Sequence, residues 1–192
     1  LNWDLWLGPA PSRPYHPCYV PHDWHYWWDF GGGPLGNMGC HYIDLAFWAL
    51  DLRHPTTIHA EGPAVHPEST PMPMTVHWEF PARGELPPVT LTWDHGMQAL
   101  PFWQEHRLPD WAWGAFVGSK GMLLTDYSQH ALWPESEFAD FKRPEPSIAD
   151  SIGHHQEWIV ACKTGSPTSC NFDYCGPVTE TILLGNVAYR CQ

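Results

Sequence analysis

Asn37 and His41 are the residues of this sequence whose types and spacing best suit acid/base chemistry. They lie four positions apart in the stretch GGGPLGNMGCHYIDLAFWAL, residues 31–50. A helix brings side chains at i and i+4 to the same face, and an imidazole changes charge near neutral pH. Asp44 follows His41 by three residues and falls on that face, as a supporting partner or an additional ligand. The pattern predicts a proton-transfer site on a helix.

The same stretch contains a dinucleotide-binding pattern, G-x-G-x-x-G, at Gly31, Gly33 and Gly36. That pattern functions when it follows a buried parallel strand and opens a helix within a βαβ unit. Here the preceding residues are DWHYWWDF, Pro34 lacks the N–H that would bind a phosphate, and no βαβ alternation follows. We therefore interpret the glycines as a tight turn that delivers Asn37 and His41 into a pocket. NAD(P) is not expected to bind to this chain alone.

Histidine is unusually abundant, with 13 residues against nine lysines and arginines. A single histidine is more often structural than a ligand, but such an excess favours a metal site. Three nitrogen or oxygen ligands and one water form a typical catalytic zinc site, although no H-E-x-x-H motif is present. Zinc or another divalent metal is the cofactor expected. The candidate metal ligands are His25, His41, His95 and His154, and His155 joins Asn37, His41 and Asp44 as a candidate catalytic residue.

The composition limits the classes of partner. The formal net charge is −12, with only three lysines among 192 residues, which argues against nucleic acid and anionic membranes as partners. The sequence contains no apolar run of membrane-spanning length and does not begin with a secretory leader. It predicts a soluble protein, cytoplasmic or periplasmic, that forms a single domain over residues 1–192. The 13 tryptophans indicate core packing, with sugar stacking or an oligomer face as alternatives.

Hydrophobic periodicity predicts an α+β fold with an open, mostly antiparallel β-sheet and helices packed on one face. Residues 1–30 are interpreted as an extended arm, and residues 37–50 as a buried helix with Asn37 as its N-cap. Alternating residues then predict strands, and helical patterns return near the end of the chain. The predicted strands are 56–62, 74–80, 89–95 and a hairpin over 113–127, and Val76, Trp78 and Phe80 are expected to share one face of the second strand. The predicted late helices are 153–165, which Gly165 ends, and 176–191, with Pro177 near its first turn.

The sequence also resembles the C-terminal domain of the Gfo/Idh/MocA oxidoreductase family, over essentially its whole length. The resemblance rests on a series of short motifs whose combination is specific, although each alone is weak. These motifs are NWDLWLGPAP, RPYHP, WWDFG, MGCHxxD, FPARG, PPVxLTW, GHHxEW, ACKTG, NFDY and LLGNVAYR, all between residues 2 and 190.

The resemblance implies a two-domain enzyme of which this chain is one part. Members have an N-terminal Rossmann domain that binds NAD(P) and supplies a catalytic lysine, which is expected to be missing here. Their second domain often oligomerises through an exposed sheet face. We therefore expect a homodimer or higher homo-oligomer, supported by an apolar sheet face that a monomer would leave bare.

Three parts of the sequence depart from the family pattern. The family's Asp-x-x-x-His pair corresponds to Asn37 and His41, so an amide replaces the carboxylate that would orient and charge-stabilise the imidazole. His25 stands where members have arginine, and LTWDHGM replaces LTWYDGG, which introduces Asp94 and His95. These changes motivate the metal hypothesis.

Three functions follow from these observations. The first is a stand-alone domain that acts on carbohydrate by zinc-dependent lyase or hydrolase chemistry without NAD. The second is the substrate-binding half of an NAD(P)-dependent sugar oxidoreductase, completed by a partner chain or separated from its other half. The third is a non-catalytic, dimeric sugar-binding protein.

Overall fold

The computed structural model describes residues 1–96 and 100–192 and divides the chain into two compact units. The first unit comprises Leu1–Gln104 and Gly176–Gln192, and the second comprises Glu105–Cys175. The prediction of a single domain over 1–192 stays a prediction. Among the described residues, no helix combines the length and the apolar character that crossing a membrane requires.

Helices and antiparallel strands confirm the predicted α+β class. The helices are α1 (Trp3–Leu7), α2 (Gly33–Ala49), α3 (Pro101–Glu105), α4 (His154–Thr164) and α5 (Phe172–Arg190). The strands are β1 (Thr57–Glu61), β2 (Thr75–Phe80), β3 (Val89–Asp94), β4 (Gly114–Gly118), β5 (Gly121–Thr125) and β6 (His130–Trp133). The described strands form two three-stranded antiparallel sheets, β1-β2-β3 and β4-β5-β6, where the sequence predicted one open sheet.

The core of the first unit lies between the β1-β2-β3 sheet and the helices α2 and α5. As the alternation predicted, Val76, Trp78 and Phe80 share the buried face of β2. The Phe47 ring of α2 meets the Phe80 ring edge-on at 5.8 Å, and the Trp78 indole Nε1 donates a hydrogen bond of 2.9 Å to the Thr181 carbonyl of α5. Helices therefore pack on one face of this sheet, as predicted.

The opposite face of that sheet is polar, so the β1-β2-β3 sheet does not have the bare apolar face that was expected. Strand alternation directs the apolar side chains of all three strands toward the helices, so the other face receives the intervening residues. His59 lies opposite His77, and His77 lies opposite Thr92. The remaining residues of this face are Thr57, Glu61, Thr75, Glu79, Thr90 and Asp94.

Two predicted helices begin earlier than their patterns indicated. α2 starts at Gly33 with Gly32 as its N-cap, so Asn37 lies inside the helix and is not the cap that the sequence predicted. α5 starts at Phe172 because the Asn171 side chain accepts a 3.1 Å hydrogen bond from the Tyr174 N–H. Pro177 therefore lies within α5 and not near its first turn.

The second unit contains the predicted hairpin and the helix α4. Gly118 pairs with Gly121 across the turn that joins β4 and β5. β6, a four-residue strand that the sequence analysis did not identify, adds to β5. α4 ends at Gly165, whose φ of 72° gives the left-handed helix cap that its sequence predicted.

Candidate functional site

One side of α2 is fixed against the core, and that anchoring orients the predicted acid/base residues. Leu35 and Phe47 are almost completely buried. Gly39 lies so close to α5 that a Cβ atom there would be 3.1 Å from the Ile182 side chain. The helix is therefore buried along one side only, and the expectation that it is buried on all sides was wrong.

The opposite side of α2 presents Asn37, His41 and Asp44. Asn37 and His41 are exposed and lie one helical turn apart, and Asp44 is half-buried on the same face. Such a surface offers an amide, an imidazole and a carboxylate to a ligand. The intervening Cys40 donates its thiol hydrogen to the Asn37 backbone carbonyl over 3.3 Å, so its side chain returns to its own helix.

The glycines before this helix are required by packing against protein atoms. A Cβ atom on Gly31 would lie 2.6 Å from the backbone Cα of His25, and one on Gly33 would lie 2.6 Å from Thr70 Oγ1. The preceding residues form a 3-10 helix, Asp23–Tyr26, and not a strand of a parallel sheet. These positions therefore do not fit a phosphate-binding loop. Gly33 and Gly36 lie within α2, so the interpretation of all three glycines as a tight turn was wrong for these two. Delivery of Asn37 and His41 into a pocket stays a prediction.

His25 is buried, and one of its two ring nitrogens is hydrogen-bonded to the protein backbone. Its Nδ1 donates a 2.8 Å hydrogen bond to the His22 carbonyl, which fixes the tautomer. The ring lies 4.0 Å from the Tyr26 ring and 4.9 Å from the His22 ring. The ring is therefore held in place by the protein through Nδ1 and through its contacts with these two rings.

His95 has both ring nitrogens occupied by protein. Nδ1 accepts a hydrogen bond of 2.7 Å from the Trp93 indole, and Nε2 donates one of 3.3 Å to the Pro71 carbonyl. Burial lowers the pKa of His95, against the opposing effects of the Pro71 carbonyl and Asp94. The neutral ring therefore joins the end of β3 to the segment before β2, and no lone pair remains for a metal.

Asp94, which also departs from the family pattern, likewise makes its contacts at the end of β3. One carboxylate oxygen accepts a 2.6 Å hydrogen bond from the Thr75 hydroxyl. The other accepts one of 2.8 Å from the Gly96 N–H. Its contacts stabilise the strand end.

The remaining predicted histidines lie elsewhere in the chain. His154 and His155 open α4 in the second unit, where both are exposed and their ring centroids are 4.1 Å apart. Within the part of the chain that the structure describes, no three His, Cys, Asp or Glu side chains are grouped to hold a metal ion. The geometry therefore gives the zinc hypothesis no support.

The sequence analysis missed an aromatic cluster near the start of the chain. Residues 1–30, predicted as an extended arm, contain α1 and a stack in which the Trp3 and Trp6 rings lie 4.8 Å apart and 11° from parallel. The Arg13 guanidinium lies over the Tyr19 and Phe30 rings at 5.5 and 5.3 Å. Nine tryptophan, tyrosine and phenylalanine residues and an arginine within 30 positions were the signal, but they have no simple period.

The first unit is thus an α+β domain with an amide, an imidazole and a carboxylate on the outer side of one anchored helix. This α+β architecture is consistent with the family of domains that the sequence matches. The family described as the Gfo/Idh/MocA oxidoreductase family, C-terminal alpha/beta domain, matches residues 1–152 of the 192. The chain belongs to this family. No functionally curated protein matches the chain.

Proposed function

We propose that this chain is the substrate-binding half of an NAD(P)-dependent oxidoreductase that acts on a carbohydrate. The nucleotide-binding domain would come from a chain or segment other than residues 1–192. One observation carries the proposal: α2 is buried along Leu35, Gly39 and Phe47 and exposes Asn37 and His41 on its other side. The family match supports it, because the family is one of oxidoreductases.

Each residue on the outer side of α2 has a distinct role in this proposal. His41 exchanges a proton with a sugar hydroxyl, the usual task of a catalytic imidazole. Asn37 hydrogen-bonds to the substrate or the imidazole, and Asp44 supports the imidazolium charge from the next turn. When bound, NAD(P) supplies the hydride chemistry. An amide at position 37 contributes no charge, so proton transfer is slower than with a carboxylate.

Binding and turnover test this proposal separately. In the first arm, sugars are added to the full chain and the His41 ring signals are followed by NMR. In the second, a nucleotide-binding domain from another family member is added with NAD(P)⁺, and formation of reduced cofactor is followed by absorbance. We expect His41→Ala to lower turnover by about 100-fold or more. The control His54→Ala changes a histidine that is also exposed in the first unit but lies between α2 and β1.

The experiment has separate results that would contradict the proposal. If no sugar perturbs His41 and no pairing yields reduced cofactor, the proposal is wrong. If His54→Ala lowers turnover as much as His41→Ala, the chemistry does not belong to α2. Elemental analysis adds a third readout. If the wild-type chain holds about one zinc and His41→Ala holds none, the proposal of an oxidoreductase half would give way to that of a zinc-dependent lyase or hydrolase.

We also propose that two copies of the chain pair through the open face of the β1-β2-β3 sheet. That face is polar, so hydrogen bonds and charges would hold the pair together. The central row is His59, His77 and Thr92. Light scattering after gel filtration should show an oligomer that Thr92→Arg dissociates and that Ser119→Arg, in the turn of the second unit, leaves intact. A monomeric wild-type chain would contradict this proposal.

A further inference from the structure

A cleft of about 370 Å³ opens beside α1, and the proposed reaction does not use it. It is lined by Trp6, Leu7, Pro9, Trp24, Asp29 and Phe30, all in the first unit. Small-molecule sites run from roughly 300 to 1,000 Å³, so the cleft has room for one or two sugar rings. Its walls are aromatic, with a single carboxylate, which is the composition of a site that binds an amphipathic ring.

The aromatic walls are held in place before any ligand arrives. Trp6 stacks on Trp3 on one side and meets the Phe30 ring at 4.8 Å on another. The Trp3 indole in turn donates a 2.7 Å hydrogen bond to the Arg13 carbonyl. Trp24 is 41% exposed, and its ring meets the buried His25 ring edge-on at 5.7 Å. Preorganised walls lower the cost of ordering side chains when a ligand binds.

The polar side of the cleft is formed by Asp29, whose negative charge is balanced by the guanidinium of Arg13. The Arg13 guanidinium donates to Asp29 Oδ2 and is itself stacked over the Tyr19 and Phe30 rings. Asp29 Oδ1 has no hydrogen-bond partner among residues 1–96 and 100–192. Because Arg13 neutralises Asp29, the cleft carries little net charge and has little electrostatic attraction for a cation. A carboxylate oxygen with unused lone pairs is a good acceptor for a hydroxyl group.

We propose that this cleft binds a neutral pyranose ring. The C–H face of the sugar lies on Trp24 and Trp6, whose ring faces carry partial negative charge, and its hydroxyls donate to Asp29. This site is separate from the outer side of α2 in its residues, and the inference is independent of the proposed reaction. It would hold a neighbouring unit of an oligosaccharide or a separate sugar ligand.

The test uses the full chain with methyl pyranosides of the gluco, galacto and manno series, without any nucleotide. Saturation-transfer NMR measures their binding, and tetramethylammonium serves as the cation probe. Trp24→Ala removes the stacking contact, and we expect it to weaken sugar binding by about tenfold. Asp29→Asn removes the charged acceptor of the sugar hydroxyls, and we expect it to weaken binding by about threefold. The control Trp158→Ala removes a tryptophan that is 66% exposed on α4, outside the cleft.

Each possible result either supports or overturns the proposal that the cleft binds a sugar. Loss of binding in Trp24→Ala with retention in Trp158→Ala supports the inference. The inference is overturned if no methyl pyranoside binds, if both tryptophan variants bind as wild type does, or if only tetramethylammonium binds. Circular dichroism of each variant establishes that it is folded. Because no cofactor is present, failure here leaves the test of His41 chemistry unaffected, and the reverse also holds.

Discussion

Gly33, the first residue of α2, lies directly against Thr70, in the segment between β1 and β2. A Cβ atom on Gly33 would be 2.6 Å from Thr70 Oγ1 and 2.7 Å from Thr70 Cβ. Thr70 is held there because its hydroxyl donates a 3.2 Å hydrogen bond to the Tyr26 carbonyl. Gly33 also has a φ of 66°. The start of α2, and with it the position of Asn37 and His41, therefore depends on a glycine at residue 33.

Gly33→Ala should lower the free energy of unfolding by about 2–5 kcal/mol. Roughly 1–2 kcal/mol comes from a left-handed backbone with a Cβ atom and roughly 1–3 kcal/mol from overpacking against Thr70. Gly84→Ala is the matched control, because its φ is 60° but nothing lies within 4 Å of the added atom. It should lose only about 1–2 kcal/mol. Urea unfolding followed by circular dichroism measures both, and equal losses would refute the steric argument.

Trp78→Phe should destabilise the first unit by about 1–3 kcal/mol, because it leaves the buried Thr181 carbonyl without its indole donor. Trp78 is fully buried between the sheet and α5. Trp48→Phe, at a tryptophan that is 59% exposed on α2, should change stability by less than about 0.5 kcal/mol. Thermal unfolding of the two variants tests this prediction. A Trp78→Phe protein as stable as wild type would show that the hydrogen bond contributes little.

Acid should destabilise the fold in part through His95. Burial lowers the pKa of His95 in the folded state, whereas the unfolded chain has the ordinary histidine value of about 6.5. As the pH falls through that value, the unfolded state takes up a proton that folded His95 does not, so stability is lost. The loss grows until the pH reaches the lowered pKa of the folded state and is constant below it.

His95→Gln should therefore weaken the dependence of stability on pH. Urea unfolding at about pH 7.5 and about pH 5.5 measures the change in each protein. The variant should be less stable at the higher pH, because the bonds to Trp93 and Pro71 are perturbed. It should lose less stability on acidification than wild type does. The same loss in both proteins would exclude His95 as the titrating group.

Asn37→Asp should raise sugar-dependent turnover by about tenfold or more in the reconstituted assay, because a carboxylate one turn from His41 stabilises the imidazolium. Asn37→Ala, which removes the amide without adding charge, should not raise it. The two rates are compared at saturating sugar and cofactor, so that the chemical step is measured. A faster Asn37→Ala enzyme would indicate a steric effect of the amide.

Elements with a clear period could be predicted from the sequence. Strict alternation around Val76, Trp78 and Phe80 places β2 with its correct face inward, because a strand has a period of two. The Gly165 signal correctly ends α4. Helix starts were less accurate, since Asn171 and Gly32 cap α5 and α2 one turn before the apolar pattern begins. The short β6 and α1 lack a pattern long enough to detect.

The sequence by itself determined the family, the α+β class and the helix that carries Asn37 and His41, because all three depend on local spacing and on motifs contiguous in the chain. Only the tertiary structure decided which histidines are committed to protein contacts. His95 is occupied by Trp93 and Pro71, and the partner at Pro71 lies 24 residues away. The aromatic cleft likewise arises where α1 meets residues 24–30. Hydrogen bonds and ring contacts between distant segments have no period in the sequence, so packing alone establishes them.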